Sequence, residues 1–383
     1  MKKKLAIGAA LLSAVMLLGA CGAPPEPVAE VVEPGTADAP DTVPGETVEG
    51  GGTVVAEEGF TPCIVSDAGG FDDRSFNQSA FEGVTYAANR LGLSTFPSVQ
   101  STDDTQFLPN LDALVGQGCS LIVATGFAFA PAVFASATAN PDVHYLLVDS
   151  DGFVDGNPPP ENVKSVLYDT AQAAFLAGYV SAAFSSRDGG AAHVGTFGGM
   201  AFPTVTIFMD GFYQGVEYYN QQMNANVQIT GWDGNDGSFT GGFQANQQAL
   251  TTAQGIINQG VDVILPVGGP IYQSAVAAIH DAGRDVALVG VDQDLFFSDP
   301  TTQDIVLTSI LKNIDVSVRD AILESAAGDW DPTPYIGTLA NGGVGIAPFH
   351  NFEDQIPQDV RDHVAQLEQD IIAGTVVVRS NLS

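Results

Sequence analysis

Carboxylates recur in this chain where strand-like apolar runs end. The run 61–66 stops at Asp67, 144–148 at Asp149 and 286–291 at Asp292, while 261–267 stops at Gly268-Gly269 and 305–309 leads to Lys312. In open α/β sheets, ligands collect beyond the carboxyl ends of the strands. Carboxylates, bare backbone N–H groups and one cation placed there offer acceptors and donors together, which is what sugar hydroxyls require. Phe76-Asn77, at the start of a helix-length segment, adds an aromatic face beside an amide, a pairing that can stack on and hydrogen-bond a planar heterocycle. The plainer reading makes Phe76 a core residue and each strand-end carboxylate a helix cap, with Asp73 and Ser75 as further caps.

Motifs for covalent or metal chemistry are not found. GxSxG, HExxH, GxxxxGK[ST] and GxGxxG are absent, and the five histidines are scattered without ligand spacing, so no metal or cofactor is implied. Paired carboxylates also serve hydrolases, but carboxylates spread over several strand ends look more like a clamp than a catalytic pair.

The elements that must position these residues follow a βαβ rhythm, which implies parallel sheets covered on both faces. Strands are expected at 61–66, 121–125 and 144–148, with helices at 76–91 and 131–139. The rhythm restarts with strands at 192–197, 227–230, 261–267 and 286–291 and helices at 205–219, 243–258 and 271–282. Two such series mean two similar lobes. Between them, a strand at 163–168 and an Ala-rich helix at 170–184 mark a crossing. A strand at 305–309, a helix at 313–327, a glycine-rich strand pair or loop at 337–346 and a helix at 357–372 finish the chain. The expected division is 59–165 with about 310–328 for the first lobe, and 166–309 with about 329–383 for the second.

The N-terminus carries Lys2–Lys4, an apolar stretch to Leu18 and Leu-Gly-Ala before Cys21. That is an export signal over 1–20 with a lipoprotein cleavage pattern, making Cys21 the lipidated N-terminus and placing the protein on the outer face of the cytoplasmic membrane or in the periplasm. Residues 21–58, rich in Pro, Glu and Gly, read as a disordered tether. Beyond Cys21, Cys63 and Cys119 form an even pair, read first as a disulfide in an exported chain, with two buried thiols as the alternative. The net charge of -33 excludes nucleic acid as a partner, since no basic patch exists to neutralise phosphates. Past the signal only Lys164 and Lys312 remain as lysines, so Lys312 stands out on a chain that has dispensed with that residue type.

The ordered pieces DAGGFDDRSFNQSAFEGV from Asp67, ATGFAFAPAV from Ala124, FLAGYVSAA, GTFGGMAFPTV, GVDVILPVGG, GVDQD and LTSILKNID together resemble the basic membrane protein family, the purine nucleoside receptor-type lipoproteins of ABC transporters. The resemblance implies a type I periplasmic-binding fold: α/β, two Rossmann-like lobes with parallel sheets joined by a three-crossing hinge. It implies a nucleoside, purine above all, clasped by closing lobes with no catalysis, a monomer, and ABC permease and ATPase subunits as partners at the membrane. The base would be sandwiched by Phe76 and Phe239, the latter from the GSF piece, with Asp67 and Asn77 at its edge. Asp149, Asp292, Gly268 and Lys312 would hold the ribose. A flavin, a sugar or a signalling molecule is the alternative ligand, and a sensor the alternative role.

Overall fold

The computed structural model describes residues 30–32, 56–189 and 191–382. The signal segment, Cys21 and the tether apart from 30–32 and 56–58 lie outside the described residues. The chain first builds β1 (Glu30–Val32), β2 (Pro62–Ser66), α1 (Phe76–Arg90), β3 (Phe96–Gln100), α2 (Phe107–Gly116), β4 (Leu121–Thr125), α3 (Ala130–Ala139), β5 (His144–Val148) and β6 (Val163–Tyr168). It continues through α4 (Thr170–Ser185), β7 (His193–Gly198), α5 (Pro203–Met223), β8 (Gln228–Thr230), α6 (Gln247–Ile257), β9 (Val263–Val267), α7 (Tyr272–Ala282), β10 (Ala287–Asp292), α8 (Leu295–Ser298) and β11 (Val306–Lys312). The last elements are α9 (Ile314–Ala326), β12 (Tyr335–Gly337), β13 (Val344–Ile346) and α10 (Gln358–Ile372).

Two separate sheets result, ordered β1-β3-β2-β4-β5-β6-β12 and β13-β11-β10-β9-β7-β8. Pairing is parallel except for β1 on β3 and β13 on β11. Strands β2, β4 and β9 are fully buried and, but for Ser66 and Thr125 at the ends of the first two, apolar, as a sheet covered by helices on both faces requires. In each sheet the winding reverses once, between β2 and β4 and between β7 and β9, and the loops that leave those strands face the crevice of the switch point. Strand β10 pairs with β9 only at Ala287 and Leu288, so Pro266, which lacks a donor, lies beyond the shared ladder.

The sheets place the crossings later than the sequence suggests. Strand β6 stays in the first sheet to Tyr168 and β11 in the second to Lys312, so the chain crosses at Asp169 and Asn313. Both residues take nearly the same backbone bend, φ -79, ψ 61 and φ -76, ψ 62. The glycine-rich 337–346 segment is divided, since β12 pairs with β6 in the first sheet and β13 with β11 in the second. The third crossing is therefore 338–343, not near 328. It is tied to the other two by Asp169 N donating to Gly337 O at 2.8 Å and Asn313 N donating to Gly343 O at 3.0 Å.

Strand β3 and helix α2 are not foreseen from the sequence. Pro97 and the polar Ser98 and Gln100 weaken the strand pattern, which an outer position in the sheet tolerates. Strand β1, inside the segment read as a tether, adds along this edge.

Helix α4 is apolar on all sides because it is buried on all sides, and it packs against α5. Their backbones nearly touch: a Cβ at Gly178 would lie 2.1 Å from Phe212 O, and one at Gly215 2.0 Å from Phe175 O. Cys63 of β2 and Cys119 before β4 are disulfide-bonded, their Cα atoms 5.9 Å apart. Both sit in the core on one face of the first sheet.

Candidate ligand-binding site

The loop after β2 is organised by two carboxylates, the buried Asp73 and the half-buried Asp67. Asp73 caps α1, its Oδ1 accepting from Ser75 N (3.0 Å) and Gln78 N (3.1 Å) and its Oδ2 from Asn77 N (3.0 Å). The Asn77 amide donates to Asp67 Oδ1 at 2.9 Å and to Asp73 Oδ2 at 3.1 Å, which leaves Asn77 Oδ1 buried without a hydrogen-bond partner. Burial pushes the Asp67 carboxyl up, against the pull of the Gly69 N–H and the Asn77 amide. Burial likewise raises Asp73, opposed by the N–H groups of Asn77, Gln78 and Ser75. Ser75, the other expected cap, instead reaches the second lobe: its hydroxyl donates to Asp292 Oδ2 at 2.6 Å.

Asp149 after β5 and Asp292 at the end of β10 occupy equivalent places in the two lobes. Both have a left-handed backbone, φ 65 and φ 68, an arrangement that costs a non-glycine residue on the order of 1 kcal/mol or more and gathers at functional sites. Lys312 ends β11, only 3% exposed, and its Nζ lies 2.6 Å from Asp149 Oδ2. The ammonium also sits 5.2 Å from the ring centroids of Phe76 and Phe208 and 5.3 Å from that of Tyr168, within cation–π range. Desolvation raises the Asp292 carboxyl to about 6, although Lys312 and the Ser75 hydroxyl pull it down. Burial raises Asp149 as well, with the Lys312 ammonium opposing.

After β9, Gly268 has φ 141, a conformation open essentially to glycine, and a Cβ there would meet the Phe243 ring at 2.8 Å. A Cβ at Gly199 would meet the same ring at 2.5 Å. These two bare positions seat Phe243 in the cleft.

A cavity of about 70 Å³ between the lobes is lined by Asp67, Phe76, Asn77, Asp149, Gly268, Asp292 and Lys312, seven of the residues singled out from the sequence. Phe239 does not reach it. It forms a β-bridge with Gly198, rests on that glycine's bare Cα and meets Trp232 edge-on at 6.2 Å. The strand-like pairing continues through Thr240 and Gly241, and the chain presents Phe243 to the cleft four residues later. Phe127, Phe208 and Thr204 also line the cavity and were not picked out beforehand. Phe127 stood in the ATGFAFAP piece directly after β4, a strand-end position like the others. Phe208 lies inside a helix, where nothing local separates a cleft-facing ring from a core one. Among the described residues, no group of three or more His, Cys, Asp and Glu is placed to hold a metal ion.

The lobes are drawn together at the cleft mouth. Arg74 Nη1 lies 2.6 Å from Asp299 Oδ1, Ser298 Oγ donates to Arg74 O at 3.1 Å, Gln244 Nε2 to Ala68 O at 2.9 Å and Gln293 Nε2 to Glu82 Oε2 at 2.7 Å. Ligand pockets usually enclose about 300–1,000 Å³, so this is a closed form whose walls must part to admit a ligand of two or three rings. With three buried aspartates and the half-buried Asp67 around one lysine, the cavity disfavours anions and suits a neutral molecule rich in hydroxyl and N–H groups.

Residues 60–381 match the family model Bmp, described as ABC transporter substrate-binding protein PnrA-like. The chain is 29% identical over 335 residues to the ABC transporter nucleoside-binding protein BmpA of Lactococcus lactis subsp. cremoris, covering 83% of this chain and 88% of that one. It is 25% identical over 324 residues to basic membrane protein D of Borreliella burgdorferi, covering 84% and 88%. Among solved structures, an ABC transporter solute-binding protein from Aeropyrum pernix K1 superposes with a TM-score of 0.73 at 26% identity, over 84% of this chain and 94% of that one. A solute-binding protein from Actinobacillus succinogenes crystallised with D-allose shares the fold alone, with a TM-score of 0.58 at 14% identity.

Proposed function

Since the chain belongs to the Bmp family of PnrA-like ABC transporter substrate-binding proteins, an extracytoplasmic class with a small-molecule ligand and permease and ATPase partners, we propose that its ligand is a nucleoside. The observation that carries this reading is the convergence of Phe76 and Phe243, the Asp67–Asn77 pair, and Asp149, Asp292 and Lys312 on one cavity between the lobes. The aromatic rings stack on the base. Asp67 and the unpaired Asn77 Oδ1 accept hydrogen bonds from its N–H groups. The ribose hydroxyls donate to Asp149 and Asp292 and accept from Lys312. The nucleoside-binding relative from Lactococcus supports this assignment.

Binding works by closure. A ligand that touches both lobes favours the closed state by its differential affinity for it. The first lobe supplies Asp67, Phe76, Asn77 and Asp149, and the second Phe243, Gly268, Asp292 and Lys312. Stacking together with desolvated hydrogen bonds gives sub-micromolar affinity, about -8 kcal/mol or better. The permease then reads the closed shape, and no bond in the ligand is made or broken. Lipidation at Cys21, the tether beyond it and a monomeric state complete the proposal.

The test is calorimetric titration of protein stripped of carried-over ligand by unfolding and refolding, against adenosine, guanosine, inosine, cytidine, uridine, ribose and riboflavin. Tight nucleoside binding that collapses in Phe76→Ala and Asp292→Ala is expected. Binding of ribose or riboflavin with no response to any nucleoside refutes the assignment.

A further inference from the structure

Beyond the ion pair at the sugar end of the cleft lies a second cavity, of about 390 Å³. It shares Phe127, Asp149, Thr204 and Lys312 with the ligand cavity, so those four side chains form a common partition. Its own walls are largely apolar: Leu167 of β6, Phe202 and Pro203 at the start of α5, Ile207 one turn on, and Leu382 from the C-terminal segment. That segment is held in place by Arg379, whose N–H donates to Gln214 Oε1 at 2.9 Å and whose carbonyl accepts from Gln214 Nε2 at 2.9 Å. The polar part of the chamber joins neutral groups, Ser150, Tyr168, Thr170, Thr204 and Asn381, to a net acidic charge. Asp149 and Asp151 contribute carboxylates, and Lys312, the one cation among the described lining residues, is already paired with Asp149.

We propose that the ligand site continues past the Lys312–Asp149 pair into this chamber, and that the chain captures nucleosides carrying a neutral, partly apolar substituent on the sugar. The inference rests on the reading above, in which the base lies at Asp67 and Asn77 and the sugar at Asp149 and Lys312. Given that orientation, the chamber begins where the sugar ends. Its volume of about 390 Å³ is that of a ligand-sized space, against about 70 Å³ for the cavity that takes the base. An unsubstituted nucleoside leaves these apolar walls wet, whereas an alkyl or thioalkyl group displaces that water and gains apolar burial. A phosphate in the same place meets two carboxylates with no free cation to offset them, so nucleotides are rejected.

The experiment is calorimetry on the full refolded chain with adenosine and guanosine, their 2′-O-methyl, 3′-O-methyl and 5′-methylthio derivatives, and their 5′-monophosphates. At least one derivative is expected to bind within tenfold of its parent or tighter, and the monophosphates at least 100-fold more weakly. Filling the chamber with Ile207→Trp is expected to weaken that derivative at least tenfold while the parent changes less than threefold. Leu382→Trp, at the chain's end, repeats the test without disturbing a helix. If the parents bind but every derivative is more than tenfold weaker, the site stops at the ion pair and only this inference falls. A derivative that binds yet ignores both filling variants overturns it too. If neither parent nor derivative binds, the nucleoside reading falls and takes the chamber with it.

Discussion

Replacing Arg74 by alanine removes a strut between the lobes without touching the ligand cavity. Its guanidinium reaches Asp299 at 2.6 Å across the cleft mouth, with the arginine side chain 44% exposed and the aspartate 5%. Asp299 keeps other partners: the Tyr272 hydroxyl at 2.8 Å, Thr301 Oγ1 at 2.7 Å and Thr301 N at 3.2 Å. Burial works to raise the Asp299 carboxyl, but the bonds from Thr301, Tyr272 and Arg74 together hold it below the usual carboxylate range. An uncompensated buried charge would cost about 3–5 kcal/mol, whereas an ion pair with one exposed partner contributes about 1 kcal/mol or less. Since Tyr272 and Thr301 stay with Asp299 after the substitution, the smaller figure applies. Closure then loses about 1 kcal/mol, and Kd rises about fivefold for every ligand alike, chiefly through faster release. Calorimetry and stopped-flow release kinetics measure this, and small-angle scattering reports the accompanying shift of the free protein toward an open shape. An unchanged Kd and scattering profile would show that the bridge does not hold the closed state, and a loss beyond 50-fold would place Arg74 on the ligand itself.

Asp292 predicts a pH dependence with a definite sign. Its carboxyl titrates near 6 in the fold against 3.8 ordinarily, so the folded state holds the proton more tightly, and this contribution to stability is complete below pH 4 and lost as pH rises through 6. The gap corresponds to up to about 3 kcal/mol, so urea unfolding of Asp292→Asn should lose about that much less stability than wild type between pH 4 and 7. Ligand affinity should show the opposite trend, strengthening to about pH 6 as the carboxylate becomes available to hydroxyl donors. Phe243→Ala should weaken nucleoside binding tenfold or more, while Phe239→Ala lowers the melting temperature with a smaller effect on Kd. That order reversed would return the second stacking ring to the GSF piece. Removing the Cys63–Cys119 bond by Cys→Ala at both positions should cost about 4 kcal/mol by the loop-entropy estimate, read from denaturant midpoints.

Much of the candidate site's lining was legible because strand ends are a local feature. An apolar run that stops at Asp67, Asp149, Asp292, Gly268 or Lys312 announces both the strand and the residue beyond it, and parallel topology sends all such residues to one crevice. The family resemblance, carried by pieces distributed from Asp67 to Asp315, rests on the same strand-end loops. What local pattern could not supply was the facing of residues whose orientation depends on a partner far away in the chain. Phe239 and Phe243 are both phenylalanines after a glycine or serine, and only the pairing of 238–242 with Gly198 and Gly199 turns the first toward Trp232 and the second into the cleft. Ser75 and Asp73 are both plausible caps, and the approach of Asp292 from the other lobe leaves the capping to Asp73. Tyr335–Gly337 and Val344–Ile346 are short apolar strands alike, divided between two sheets by the neighbours each can reach. Sequence determined which residues end strands and which are rare enough to matter, because those are properties of one segment. Tertiary structure decided which rings and hydroxyls face the cleft, because a side chain's direction in a loop is set by hydrogen bonds to backbone that is remote in sequence.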